Sequence, residues 1–276
     1  MTATGTEAIG TALKSLGAVP DDQLDIAEAA LLLAALDRPG ADLAPYRRHL
    51  GDLVTTVAAA EAGSEAGARA LALSAVIAAE FGYRGDNETY DDPANADLMR
   101  VIERRLGLPV ALGILYIHAG RAQGWRVDGL DFPGHFLIRV EGDDGSLVLD
   151  PFHLGRIADP PIMNELLRRI SGEQELRPEH VRPMKAREVL LRLANNIKSR
   201  AWKAGDTDRA ATMLERMLML APEFAPAWRE LGLVEEKRGR IRQSIAATER
   251  FLVLSGSEGA SLEAQAFLHH IRRQLN

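Results

Sequence analysis

The chain has 276 residues, 46% of them hydrophobic and 26% charged, enough material to bury a core in one large domain or two small ones. A net charge of -6 argues against a nucleic-acid partner held through its phosphates. The absence of cysteine excludes disulfides, thiolate-bound zinc and a thiol nucleophile.

Apolar runs such as Ala29 to Leu36 and Val110 to Ile117 are too short for a membrane span. Residues 1–17 lack the unbroken apolar stretch of a signal peptide. These features predict a cytoplasmic protein without membrane contact.

The first hundred residues read as helices. Leu24, Ala27, Leu31 and Leu32 recur at helical spacing behind Asp21, Asp22 and Asp25, and Asp37-Arg38-Pro39-Gly40 supplies a stop. Further helices are expected over about 45–60 and 66–81, followed by the glycine-punctuated Phe81-Gly82-Tyr83-Arg84-Gly85. Leu108 to Gln123 is apolar nearly all round, which predicts a helix buried on most sides. Pro109 suits its first turn and Gly124 its end. Strands are expected over 125–130, 135–140 and 146–150, the last two joined through Glu141-Gly142-Asp143-Asp144-Gly145.

Residues 171–185, with Gly172, Pro178 and Pro183, read as a linker between a domain at 1–170 and a helical region at 186–276. Gly239-Arg240 and Ser244 follow Gly205-Asp206 and Ala210 at an offset of 34 residues, the period of a tetratricopeptide helix pair. Trp228, Leu231 and Gly232 match the Trp-x2-Leu-Gly opening of such a unit, and Leu262 to Leu275 reads as a capping helix.

A four-residue connection, Glu141 to Asp144, would set Val140 opposite Gly145, Ile138 opposite Leu147 and His135 opposite Asp150. Phe136, Ile138, Val140, Leu147 and Leu149 would then share an apolar face. His135 and Asp150 would be neighbours on the other, less apolar face, with the carboxylate able to hold one imidazole tautomer. His153 brings a metal reading to mind, but nothing in the sequence fixes it on the same side, so no metal and no cofactor are expected.

Several segments together resemble a known family. Phe81-Gly82-Tyr83-Arg84-Gly85, Glu103-Arg104-Arg105-Leu106-Gly107-Leu108-Pro109, Phe132-Pro133-Gly134-His135-Phe136-Leu137 and Asp150-Pro151-Phe152 look like the transglutaminase-like superfamily. More narrowly they resemble its bacterial SirB-type subfamily, in which tetratricopeptide repeats follow the core. The resemblance implies an α+β fold: a transglutaminase-like, papain-related core with a helical N-terminal layer, then an all-α repeat region. It also makes His135 and Asp150 the remnant of a Cys-His-Asp triad. The nucleophile's place at the start of the buried helix falls near Val110 and Ala111, and no Ser or Thr lies between Leu98 and Asp144 to replace it.

The functional expectation is therefore a pseudoenzyme, binding an unidentified protein or peptide through a degenerate cleft and the repeat surface. Trp228, Leu231, Arg104 and Arg105 are the candidate binding residues. The competing expectation is a hydrolase in which His135 and Asp150 activate water, with or without a metal.

Overall fold

Asp25 opens the first long buried helix. Its carboxylate accepts the amides of Ala27 and Glu28, both at 3.0 Å, and satisfies two of the donors that a helix start leaves unpaired. The computed structural model that shows this describes residues 3–172, 175–256 and 258–275. By its internal contacts the chain divides into two units, one of residues 1–12 and 19–193 and one of 13–18 and 194–276.

The helices of the N-terminal part are α1 (Ala3–Gly17), α2 (Ile26–Ala35), α3 (Ala44–Ala59) and α4 (Ala66–Ser74), the last running on into a π-helical turn at Ala75–Glu80. Nine of the ten residues of α2 are buried, which is the reason its sequence is almost wholly Ala and Leu. Next come a two-residue strand β1 (Arg84–Gly85), α5 (Leu98–Arg104) and β2 (Leu106–Gly107), which pairs parallel with β1. Helix α6 (Pro109–Arg121) is the expected all-round apolar helix, closed by Gly124 at φ +73.

After α6 the chain forms β3 (Val127–Leu130), β4 (Leu137–Gly142), β5 (Gly145–Asp150), β6 (Arg156–Ile157), α7 (Pro160–Ser171) and β7 (Pro183–Met184). The strands make one antiparallel sheet in the order β6-β5-β4-β3-β7. Part of the stretch expected to be a linker thus lies in the sheet: Met184 pairs with Gly129 and Pro183 with Leu130.

The β4–β5 hairpin is tighter than expected. Gly142 pairs with Gly145, leaving Asp143 and Asp144 as the whole turn, and Ile138 faces Leu149 rather than Leu147. The register is displaced by two residues. An even displacement keeps every side chain on its expected face.

Both faces of the sheet are covered. Helix α6 lies on one, where Gly113 allows the closest approach: a Cβ there would stand 2.3 Å from the Phe136 ring. Helix α7 covers the other, where Leu130, Phe132 and Leu137 pack with Met163, Leu166 and Leu167. The face expected to be less apolar is therefore a second core.

The hairpin tip also completes α4. Glu65 makes no side-chain cap at the start of that helix. Asp144 Oδ1 instead accepts the Ala66 amide at 2.7 Å, and Asp143 donates its amide to the Ser64 carbonyl at 3.0 Å. Gly142 is required there, since a Cβ would fall 2.0 Å from the Ala66 nitrogen.

The second unit is helical. Its elements are the end of α8 (Ala186–Lys203), α9 (Thr207–Leu220), α10 (Ala225–Lys237), α11 (Ile241–Leu254) and α12 (Glu258–Arg272). Gly232, from the Trp-x2-Leu-Gly motif, lets α10 and α11 meet closely: its missing Cβ would lie 2.6 Å from Thr248 Oγ1. Ser244 Oγ donates to the Gly232 carbonyl at 2.7 Å within that contact.

Candidate functional site

Asp150 ends β5 and begins the 3-10 turn Pro151–His153. Its side chain is fully buried. Oδ1 accepts the amides of Phe152 at 3.0 Å and His153 at 3.3 Å, so the carboxylate caps its own turn. His135 Nε2 lies 3.0 Å from the same oxygen, and His153 Nδ1 lies 2.7 Å from Oδ2. One buried carboxylate therefore holds two imidazoles.

Burial alone would push the Asp150 carboxyl up. The hydrogen bond and charge of His135, with those of His153, outweigh burial and hold its pKa below the ordinary carboxylate value. The group stays anionic.

His135 reaches Asp150 from the Pro133-Gly134 turn just before β4, rather than from within the strand as expected. Gly134 has φ +66, and a Cβ on it would lie 2.1 Å from Ile170. Arg192 fixes the turn by donating to the carbonyls of Phe132, at 2.7 Å, and His135. On the Asp150 side, Gly155 (φ +68) returns its amide to the Asp150 carbonyl at 2.9 Å. A Cβ on Gly155 would meet Ser74 Oγ at 2.4 Å and the Tyr116 hydroxyl at 2.6 Å. The phenol of Tyr116 is pushed up in pKa by burial first and by the Asp150 charge second. Phe152 lies edge-on to His135 with ring centres 6.2 Å apart, and edge-on to Tyr90 at 5.7 Å.

Val110 and Ala111 occupy the first turn of α6 and are 2% and 0% exposed. Their side chains carry no group able to attack a carbonyl.

The two arginines expected to bind a partner are used inside the domain. Arg104 donates to Asp86 and Asn95, both at 3.2 Å. Arg105 ends α5 with φ +61 and donates to Tyr83 Oη at 2.5 Å and the Ile102 carbonyl at 2.6 Å. Both guanidiniums thus make contacts that hold α5 and the loop before it within the domain. Trp228 donates Nε1–H to the Pro222 carbonyl at 2.8 Å, and Leu231 is buried, so both serve the packing of the repeat.

The repeat unit carries a groove of about 330 Å³ that the sequence did not point to. Lys198, Trp202, Lys203, Glu230, Leu233 and Val234 line it. Trp202 and Leu233 are 41% and 44% exposed, and Lys237 stands over the Trp202 ring at 4.5 Å.

His153 is the residue of this cluster that sequence reasoning left unplaced. The signal was present: in a 3-10 turn, residues i and i+3 eclipse one another. A turn opened by Asp150-Pro151 therefore sets His153 beside Asp150.

Comparison with known proteins agrees with this architecture. Residues 44–195 match the transglutaminase-like superfamily, and residues 197–276 match a tetratricopeptide repeat family. A UPF0162 protein of Xylella fastidiosa (strain Temecula1) is 33% identical over 245 residues, covering 87% of each chain. A UPF0162 protein of Pseudomonas aeruginosa is 32% identical over 197 residues, covering 71% of this chain and 72% of its own. The human protein F-box only protein 21 is 30% identical over 82 residues, which are 29% of this chain and 13% of its own. The chain thus belongs to the transglutaminase-like superfamily, with a tetratricopeptide region following its core.

Proposed function

We propose that this chain is a non-catalytic, SirB-type member of the superfamily that works in the cytoplasm as a binding scaffold. Its partner is a protein or peptide seated in the repeat groove. The observation that carries this reading is the apolar, buried pair Val110 and Ala111 where the nucleophile of a catalytic relative would stand. In a serine protease, losing the nucleophile costs about a millionfold in rate. The groove, by contrast, offers the aromatic and aliphatic anchors that a bound side chain needs, with Lys203 and Lys237 available to acidic groups at its edge.

Two measurements test this. The intact protein is expected to hydrolyse no peptide amide and transfer no acyl group to an amine. Turnover that disappears in His135→Ala would overturn the scaffold and favour the hydrolase. Quantitative crosslinking in cell extract is expected to yield one dominant partner with the wild type and to lose it with Trp202→Ala and Leu233→Ser. Equal recovery by all three proteins would remove the groove from the proposal.

Restoring a thiol adds a third check. Val110→Cys and Ala111→Cys are expected to react sluggishly with iodoacetamide, because apolar burial raises a thiol's pKa. Rapid alkylation that His135→Ala suppresses would mean the catalytic geometry persists.

A further inference from the structure

A degenerate triad needs one imidazole on its carboxylate, and here there are two. His135 Nε2 and His153 Nδ1 meet opposite oxygens of Asp150 at 3.0 and 2.7 Å. The three donor atoms all lie within 4.8 Å of one another. Among the described residues this is the one such convergence of three or more metal-ligating groups. We propose that His135, Asp150 and His153 form a site for a divalent first-row transition-metal ion, with zinc as the best fit.

The donor set argues for that class of ion. Two imidazole nitrogens and one carboxylate oxygen suit zinc, iron, cobalt or nickel, whereas magnesium and calcium favour shells made of oxygen. Ligands around tetrahedral zinc stand roughly 3.3 Å apart, given bonds near 2.0 Å. The separation of His135 Nε2 from Asp150 Oδ1, 3.0 Å, is already close to that value, and all three donor atoms lie within 4.8 Å of one another. The His153 side chain is 35% exposed and so has room to adjust toward an ion held by the other two.

The surroundings are those of an oriented site. Asp150 is held by the amides of Phe152 and His153, and the His135 turn by Arg192. Such outer contacts fix ligand direction before an ion arrives. His135 and Asp150 are buried while His153 faces outward, so a fourth position opens toward solvent on the His153 side. Proton balance is simple. Each neutral imidazole gives the ion the nitrogen that otherwise donates to Asp150, and its proton moves to the other ring nitrogen. A neutral ring thus releases no net proton on binding, and a protonated one releases a single proton.

The test uses the full-length protein without a histidine tag, dialysed against zinc and, separately, against cobalt. One ion per chain is expected, with the visible absorption of four-coordinate cobalt. His153→Ala and His135→Gln are each expected to weaken binding by about a hundredfold or more and to remove the cobalt band. His269 and His270 on α12 form the obvious adventitious alternative, so His270→Ala is expected to leave stoichiometry unchanged. Circular dichroism identifies any variant that fails to fold, and His153→Ala, altering the more exposed ring, is the variant that decides. No binding by the wild type at micromolar metal would overturn the site. So would binding that survives in folded His153→Ala but is lost in His270→Ala.

Discussion

His49 shows how much one half-buried ring can bias stability. Its Nε2 lies 2.7 Å from the Tyr83 hydroxyl and 2.9 Å from the Arg105 guanidinium. A guanidinium can only donate, so that nitrogen is an acceptor and the ring is neutral. Burial first, and the charge of Arg105 second, pull its pKa down from 6.5 to about 4, with Asp52 opposing. Because the folded value is depressed, the unfolded chain binds the extra proton between those two values. The contribution is complete above pH 6.5 and is lost as pH falls toward 4. It amounts to on the order of 2 kcal/mol once partial exposure is discounted. Thermal melts of the wild type and His49→Gln are expected to converge over that range. A stability difference that stays constant from pH 7 to pH 4 would refute the assignment. Residue identity alone did not reveal the intramolecular contacts of Arg104 and Arg105, which look like surface cations in the sequence. Their partners Asp86, Asn95 and Tyr83 come from 9 to 22 positions away, beyond what local pattern reading joins.

At the scale of elements, periodicity was informative and loop length was not. The all-apolar composition of α6 announced its burial, and its start at Pro109 and stop at Gly124 follow from backbone chemistry. The hairpin register was displaced because Glu141 and Gly142 read as turn residues by composition, although both pair in the ladder. The apolar side chains were still assigned to the correct faces, since the displacement was even. Burial of the second face was not legible, because it depends on α7 returning from later in the chain to cover Leu130 and Leu137. The α6–sheet contact gives a sharp prediction. Gly113→Ala would raise helix propensity, by about 1 kcal/mol for an exposed site. Here the new methyl group meets the Phe136 ring, which is 1% exposed and has no free direction in which to move. A net loss of about 1–3 kcal/mol is expected in urea denaturation. A stabilised variant would show that the helix and sheet do not meet at Gly113.

For the whole molecule, the two candidate functions draw on separate sets of residues. The three proposed metal ligands belong to the first unit, and the groove from Lys198 to Val234 belongs to the second. Substitutions at sites with no shared contacts generally act independently. Trp202→Ala is therefore expected to lose the partner while keeping its metal content, and His153→Ala to do the reverse, with the double variant showing both losses and no more. Crosslinking yield and metal analysis on the four proteins measure this. A fall in metal content in Trp202→Ala would instead reveal energetic coupling between the units. The transglutaminase-like motifs and the 34-residue period each marked one unit in the sequence. The groove was hidden, because its lining comes from positions on different helices that no single motif covers.

The Asp144 cap on α4 has a kinetic meaning. Helix α4, even with its π-helical continuation, is short enough to be marginal alone in water, and its missing cap arrives from 78 residues downstream. While the chain is being synthesised, α4 must wait for the β4–β5 turn before its first amides are satisfied. In the finished protein the Ala66 amide can exchange with solvent only when that turn lifts away. Its deuterium uptake is therefore a clock for opening of the hairpin tip. Asp144→Ala is expected to speed exchange at Ala66 selectively, leaving the amides deep in α6 at the slow rate set by global unfolding.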